Sequence, residues 1–164
     1  HPGAFAPKNE FAMDWYYPML SGALEGERAR ARIDEHWDEF VMHGLGVRCV
    51  STSDWVTAAE TAECVMTLDA LGMADEALEL FEVAQGHRRP DGSYFTGLAY
   101  PDVVTYPDRE TTSYTAAAII LAADALSSTS PAAGLFRGET LEGTIDLAGP
   151  RCHQGHTGPC TARR

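Results

Sequence analysis

The stretch Thr112-Ser-Tyr-Thr-Ala-Ala-Ala-Ile-Ile-Leu-Ala-Ala-Asp-Ala-Leu126 has the composition of a helix and no polar face. Its eight residues from Ala116 to Ala123 are all apolar. A helix that is apolar all round is normally buried inside a protein. We therefore predict a helix over residues 112–126 that other helices cover on nearly every side.

Four more helical patterns precede this stretch, and they alternate in character. The second and fourth have one apolar face and an acidic outer face, whereas the third is apolar on most sides and ends before Gly72. The first contains Pro18, which is expected to kink or split it. The four predicted helices cover residues 11–24, 25–42, 57–71 and 74–85.

Buried inner helices that alternate with half-exposed outer helices are typical of stacked αα-hairpins, as in a solenoid or a closed α/α toroid. The pattern of residues 61–71 returns weakly in residues 115–126, and no strand pattern of useful length competes. The predicted fold class is therefore all-α: stacked αα-hairpins forming part of an α/α toroid. Residues 1–130 form the predicted helical-hairpin domain, and residues 131–164, rich in Gly, Thr and Pro, form a loosely ordered, irregular tail.

Composition excludes several classes of partner. The 164 residues are enough for one domain, and 24 acidic against 12 basic residues give a net charge of −12. Such a surface repels nucleic acid and anionic membranes, so we expect no nucleic-acid partner. No run approaches the roughly 20 apolar residues that span a bilayer, so we expect no transmembrane segment.

The four cysteines fall into two groups. Cys49 and Cys64 are expected to be free thiols, which favours a cytoplasmic location. Near the end of the chain, a cluster with two further cysteines has a spacing that matches no standard zinc site, so a disulfide or two free thiols is favoured over a metal. No metal site is predicted, and no cofactor can be assigned. The residues of this cluster are Cys152, His153, His156 and Cys160.

Carboxylates and aromatic residues are interleaved in the first helix and in two connecting segments, 48–56 and 88–110. If the hairpins stack, both segments lie on one rim, and such a mixture suits an apolar or cationic ligand held on ring faces, or a sugar. The alternative is that these rings seal loops over the core. The candidate ligand-binding residues are Trp15, Tyr16, Tyr17, Trp55, Tyr94, Tyr100, Asp102 and Tyr106.

Three carboxylates are candidate catalytic groups. Glu60 and Glu110 stand at the starts of the inner helices, where either could act as a general acid, and Asp14 lies in the first helix. A structural role competes with this hypothesis, because an acidic residue in the first turn stabilises a helix. In addition, the spacing of Thr57 and Glu60 is that of a capping box.

The segment Ala77-Leu-Glu-Leu-Phe-Glu-Val-Ala-Gln85, followed by Arg89-Pro-Asp-Gly-Ser-Tyr94, resembles the QW-type repeat of the squalene cyclase and prenyltransferase β-subunit superfamily. Gln85 and Gly92 match that repeat, and Tyr94 stands where the family usually has Trp. The resemblance covers residues 10–127 and implies an α/α toroid that binds a hydrophobic or terpenoid ligand. The family's Asp-x-Asp-Asp and Asp-Asp-x-x-Asp motifs and its zinc ligands are absent, so the resemblance leaves catalysis open.

Two other functions fit the same residues. One is a carbohydrate-active α/α toroid enzyme, a glycosidase or lyase, and the other is a non-catalytic interaction module. The expected partner is thus a hydrophobic small molecule or a glycan. Five helices cannot close a toroid, and the chain begins His1-Pro2 without Met. We therefore expect the chain either to be part of a longer one or to associate with itself or a partner through its last hairpin.

Overall fold

The computed structural model of the chain describes residues 9–139. Each of the five predicted helices is present, with bounds that differ by a few residues from those expected. Pro18 lies inside the first helix, which continues past it. The helices are α1 Ala12–Leu20, α2 Gly26–Phe40, α3 Ala58–Ala70, α4 Ala74–Ala84 and α5 Ser113–Ser127, and a short 3₁₀ turn, Gln85–His87, follows α4.

The structure also contains a sheet that the sequence did not predict. Five short strands pair antiparallel in the order β1-β2-β3-β4-β5. The all-α prediction is therefore wrong, and the fold is α+β. Each strand has two or three residues, which is too short to show the period-two alternation of a half-buried strand. The strands are β1 Val41–Met42, β2 Gly46–Arg48, β3 Trp55–Thr57, β4 Gly97–Ala99 and β5 Val104–Thr105.

Because of this sheet, the described part of the chain is not a set of stacked αα-hairpins, and the predicted toroid is wrong. The segments 48–56 and 88–110, expected to be rim connections, supply strands of the sheet. The residues that carried the QW-type resemblance make a local contact: the Tyr94 hydroxyl donates a 2.7 Å hydrogen bond to Oε1 of Gln85. That contact ties the end of α4 to the following loop and does not require a repeat.

Helix α3 is the centre of the fold. All its residues from Ala58 to Leu68 are buried, and it packs against α1, α4 and α5. The sheet closes over its start, where the backbone N–H of Val47 donates a 2.9 Å hydrogen bond to Thr61 Oγ1. Gly46 has a φ of +122°, and a Cβ there would lie 2.5 Å from that oxygen, so only glycine fits this close approach.

Helix α5 has a buried face and an open one. Thr115, Ala118 and Ala122 are buried against the core, whereas Ile120 is 67% exposed and Tyr114 is 53% exposed. The prediction that this helix is covered on nearly every side is thus wrong: the described residues, 9–139, leave one face of it open. The apolar surface expected on the last hairpin is present.

The first nine residues of the predicted tail, 131–139, lie among the described residues. Phe136 packs against the hydrophobic core, and Arg137 forms a 2.7 Å ion pair with Asp69 on α3. The remainder of the predicted tail, residues 140–164, lies outside the described residues, and the division at residue 130 stays a proposal. None of the helices between residues 9 and 139 has the length and hydropathy needed to cross a membrane.

Candidate active site

Two carboxylates project from the first turns of the buried helix α3. Glu60 is 9% exposed and Glu63 is 8% exposed. Residues three apart on a helix lie on the same side, so the two side chains are neighbours. Strand β3 ends at Thr57 and runs directly into α3, which places Glu60 at the junction of sheet and helix. Carboxylates this deeply buried require hydrogen-bond partners or nearby charges.

Glu63 receives hydrogen bonds from three tyrosine hydroxyls. Tyr16 on α1 donates to Oε2 at 2.5 Å, Tyr17 on α1 lies 3.4 Å from Oε1, and Tyr114 on α5 also donates to Oε1. Burial, followed by the charge of Glu63, raises the pKa of Tyr16 and of Tyr17 above its usual value. The pKa of Tyr114 is raised by the same causes, so all three phenols remain protonated and act as hydrogen-bond donors to the Glu63 carboxyl group.

Glu60 has different neighbours. The Thr57 hydroxyl donates to its Oε2, while the Thr57 side chain makes no hydrogen bond that caps the helix. The predicted capping box is therefore not formed. The thiol of Cys49 lies beside the same carboxylate: burial and the Glu60 charge raise the pKa of Cys49 to about 12. At neutral pH this thiol is protonated and unreactive.

A cavity of about 240 Å³ opens at Glu60. Its wall combines rings, hydroxyl groups and one carboxylate, which is the composition expected for a polar ligand with an apolar face. The indole N–H of Trp55 donates a 3.2 Å hydrogen bond to the Tyr106 carbonyl, and the Tyr106 ring lies edge-on at 5.3 Å. The cavity is lined by Trp55, Thr57, Ala59, Glu60, Thr96, Thr112, Tyr114 and Thr115.

A second and larger depression, which we call the α1 groove, has a volume of about 770 Å³. Its lining is mostly apolar. The ring of Tyr17 belongs to this groove, while its hydroxyl faces Glu63. Glu63 is thus connected to both depressions by hydrogen bonds: to the Glu60 cavity through the Tyr114 hydroxyl and to the α1 groove through the Tyr17 hydroxyl. The groove is lined by Met13, Asp14, Tyr17, Pro18, Leu20, Ser21, Ala23 and Phe136.

Several of the predicted site residues come together around these two carboxylates. Trp55 and Glu60 line the cavity, and Tyr16 and Tyr17 approach Glu63. Asp14 stands at the α1 groove. Tyr106 contacts the site indirectly, through Trp55.

The other predicted residues lie elsewhere. Trp15 is a core residue, 1% exposed and stacked on Phe40 at 5.3 Å. Tyr100 donates a 3.3 Å hydrogen bond to the Ser53 carbonyl, and Asp102 is exposed. Tyr94 is held by Gln85 as described above. Glu110 is also exposed, but it accepts a 3.0 Å hydrogen bond from the Thr96 hydroxyl, which belongs to the cavity wall.

Two residues of the cluster, Glu63 and Tyr114, were missed by the sequence interpretation. A signal for Glu63 was available, because a second glutamate one turn after Glu60 is unusual on a helix that is otherwise apolar. Tyr114 carried no such signal. It opens a helix that was predicted to be buried as a whole, and only the packing of α5 on α3 brings it to Glu63.

A metal centre is not formed by the residues that the structure describes: no group of three His, Cys, Asp or Glu side chains among them could hold an ion. Within residues 9–139, Cys49 and Cys64 form no disulfide. The cluster of Cys152, His153, His156 and Cys160 lies outside the described residues.

The fold and this cluster define an α+β unit in which a small antiparallel sheet and a central helix hold two carboxylates among aromatic rings. No family model matches the chain. It is similar to the MMP endo-(1,4)-3-O-methyl-alpha-D-mannosidase of Mycolicibacterium hassiacum, with 53% identity over 152 residues. The match covers 90% of this chain and 42% of the mannosidase, so the chain spans less than half the length of this curated relative.

This similarity corrects the predicted resemblance. A relative at 53% identity is a mannosidase, and the sheet is not part of an all-helical toroid. The resemblance to squalene cyclases and prenyltransferase β-subunits is therefore wrong, and with it the terpene-cyclase assignment. Of the functions considered from the sequence, the carbohydrate-active alternative fits this relative.

Proposed function

We propose that this chain contributes a carboxylate-bearing part of a glycoside hydrolase that acts on 1,4-linked, 3-O-methylated α-mannosides. The observation that carries the proposal is its 53% identity to a mannosidase of that specificity, over 90% of this chain. The cluster on α3 supports the proposal independently, because glycoside hydrolysis generally uses a pair of carboxyl groups beside the scissile bond. The ligand class is thus a glycan.

Glu60 is assigned the role of general acid. It lies on the wall of the cavity that the sugar would enter, whereas Glu63 is engaged by phenols. A general acid must hold a proton and deliver it to the glycosidic oxygen. Glu60 is buried in that wall, so a sugar in the cavity would meet its carboxyl group directly.

Glu63 is assigned a different role. Three phenols donate hydrogen bonds to its carboxyl oxygens and hold the group in a fixed position. The transition state of glycoside hydrolysis resembles an oxocarbenium ion, which carries positive charge at the sugar ring. A fixed carboxylate beside the cavity stabilises that charge electrostatically.

The remaining cavity residues bind the sugar. Trp55 and Tyr114 supply aromatic surface against which the C–H face of a sugar packs. The hydroxyls of Thr96 and Thr112 lie in the same wall and can exchange hydrogen bonds with sugar hydroxyls. This mixture of rings and polar atoms supports a sugar as the ligand.

The proposal is tested by incubating the chain with α-1,4-linked oligosaccharides of 3-O-methylmannose and following shorter products by mass spectrometry. Wild type is expected to cleave them, and Glu60→Gln to lower the rate by about 10²- to 10⁴-fold, the usual contribution of a general acid. Glu27→Gln, at an exposed position of α2, is the matched control. Absence of both cleavage and binding by wild type, or full activity of Glu60→Gln, would contradict the proposal.

A cytoplasmic location remains a further proposal. It rests on the thiols of Cys49 and Cys64, which form no disulfide among the described residues and of which Cys64 is fully buried. Burial raises the pKa of the Cys64 thiol well above its usual value. Fractionation of cells that produce the protein would test the location directly.

A further inference from the structure

We propose that the α1 groove is the subsite that recognises the methyl ethers of a glycan bound at Glu60. This inference rests on the proposed mannoside activity and adds to it the position and the chemistry of methyl recognition. It assigns a specificity role to the groove residues Met13, Leu20 and Phe136.

The groove has the surface chemistry that a methyl ether requires. Met13, Leu20 and Phe136 are partly buried and pack against the hydrophobic core, so their apolar atoms form a fixed floor. A sugar hydroxyl placed on such a floor would lose water without gaining a hydrogen-bond partner. A methyl ether has no hydrogen to donate and presents a CH₃ group, whose transfer from water to an apolar surface is favourable.

The groove is connected to the site through one carboxylate. Oε1 of Glu63 is approached by the Tyr114 hydroxyl from the Glu60 cavity and by the Tyr17 hydroxyl from the α1 groove. The two tyrosines are 53% and 40% exposed, so their rings are open to a ligand. A chain of sugars that leaves the cavity across these rings reaches the groove directly.

The polar atoms of the groove fit the same ligand. Asp14 and Ser21 belong to its lining, and they offer acceptors for the sugar hydroxyls that carry no methyl group. Apolar floor and polar edge together distinguish a partly methylated sugar from a purely apolar molecule. Each buried methyl group is expected to raise affinity roughly fourfold, as follows from its transfer free energy.

The test compares two ligands of equal length: an α-1,4-linked mannotetraose and its 3-O-methylated counterpart, titrated into the full chain by calorimetry. Wild type is expected to bind the methylated ligand at least fourfold more tightly. Phe136→Ser removes part of the floor. Ala23→Trp fills the groove from an exposed position and leaves the core intact. Leu78→Ser, at an exposed apolar residue of α4, is the matched control.

Phe136→Ser is expected to lose the preference for the methylated ligand while it keeps the affinity for the unmethylated one. Ala23→Trp is expected to lose the preference too, with weaker binding of both ligands because it fills the groove, and Leu78→Ser to retain the preference and both affinities. Circular dichroism checks that each variant is folded. If Phe136→Ser does not fold, the test rests on Ala23→Trp. Equal binding of the two ligands by wild type, or an unchanged preference in folded Ala23→Trp, overturns the groove inference alone. Binding of neither ligand overturns the mannoside function as well, and the groove inference with it.

Discussion

The hydroxyl of Tyr16 on α1 donates a 2.5 Å hydrogen bond to Oε2 of Glu63 on α3. Both side chains are buried, with Tyr16 0% and Glu63 8% exposed. The contact joins residues 47 positions apart and couples the packing of α1 on α3 to the charge of a site carboxylate. Loss of this hydrogen bond would therefore both destabilise the packing of α1 on α3 and release the Glu63 carboxyl group from its position.

Replacement of Tyr16 by Phe is expected to lower the free energy of unfolding by about 1.5–3 kcal/mol, the range for a hydrogen bond to a charged group. The ring still fills its space, so the loss reports the missing hydroxyl and not a cavity. Urea denaturation followed by circular dichroism measures it. Tyr17→Phe is the matched control, because that hydroxyl makes a longer, 3.4 Å contact at a 40% exposed residue. Its change should stay within about 0.5 kcal/mol, and equal losses in the two variants would contradict this account.

Gly97 on β4 pairs with Thr57 of β3, a residue of the cavity wall. A Cβ at this position would collide with the carbonyl oxygen of Val56 and with the indole of Trp55. Gly97→Ala is therefore expected to lower the free energy of unfolding by about 1–3 kcal/mol, as overpacking does. Since Trp55 lines the cavity, the variant should also weaken binding of mannosides. Thermal unfolding and calorimetry check the two effects.

Gly86 provides the control for this substitution. It lies in the 3₁₀ turn, and a Cβ there would meet no atom within 4 Å. Gly86→Ala is expected to leave stability unchanged or to raise it by up to about 1 kcal/mol, since alanine restricts the unfolded chain. A loss in Gly86→Ala as large as that in Gly97→Ala would show that the collision with Trp55 is not the cause of the loss.

The helices of this chain could be predicted because each repeats its apolar residues over several turns. The sheet could not, because its strands are short and their partners are distant: Trp55 pairs with Ala99, and all of α3, all of α4 and a long connection lie between them. No local pattern carries such a pairing. The all-α prediction followed from the absence of a recognisable strand pattern.

The candidate site was predicted only in part, because some of its contacts also join residues that are distant in the sequence. Glu60 was found because it follows a helix-start signal in the chain. Glu63 and Tyr114 become a pair only when α5 packs on α3. Conversely, Trp15 has the residue type of a sugar-binding platform, but its indole N–H donates a 2.9 Å hydrogen bond to the Arg32 carbonyl, inside the core. Residue type indicated the chemistry, and packing decided which residues are accessible.

His87 makes the stability of the chain depend on pH. Its ring is fully buried, Nε2 donates a 3.1 Å hydrogen bond to the Leu45 carbonyl, and burial lowers the pKa of the imidazole below its usual 6.5. The unfolded chain therefore binds more protons than the folded chain as the pH falls below 6.5. Stability from this group is complete above pH 6.5 and is lost as the pH falls toward the lowered pKa.

Between pH 6.5 and 5.5 this loss should reach at most about 1 kcal/mol, because the unfolded imidazole is already half protonated at pH 6.5. Urea titrations at several pH values measure it as the difference between wild type and His87→Gln, in which the pH-dependent part is absent. His43→Gln removes an exposed histidine and serves as the control. A difference between wild type and His87→Gln that is the same at pH 7.5 and 5.5 would disprove the assignment.

The open face of α5 is expected to mediate association. Ile120 is 67% and Leu121 43% exposed on this helix, and neighbouring apolar side chains of this kind commonly mark an interface. We expect light scattering at tens of micromolar to give a mass above that of one chain. Ile120→Glu should lower this mass toward the monomer, because a charge in an apolar interface is not compensated. Leu78→Glu, at a 55% exposed residue of α4, should not. A monodisperse monomer in wild type, without binding of a dye for apolar surface, would show that this face is covered within the chain itself.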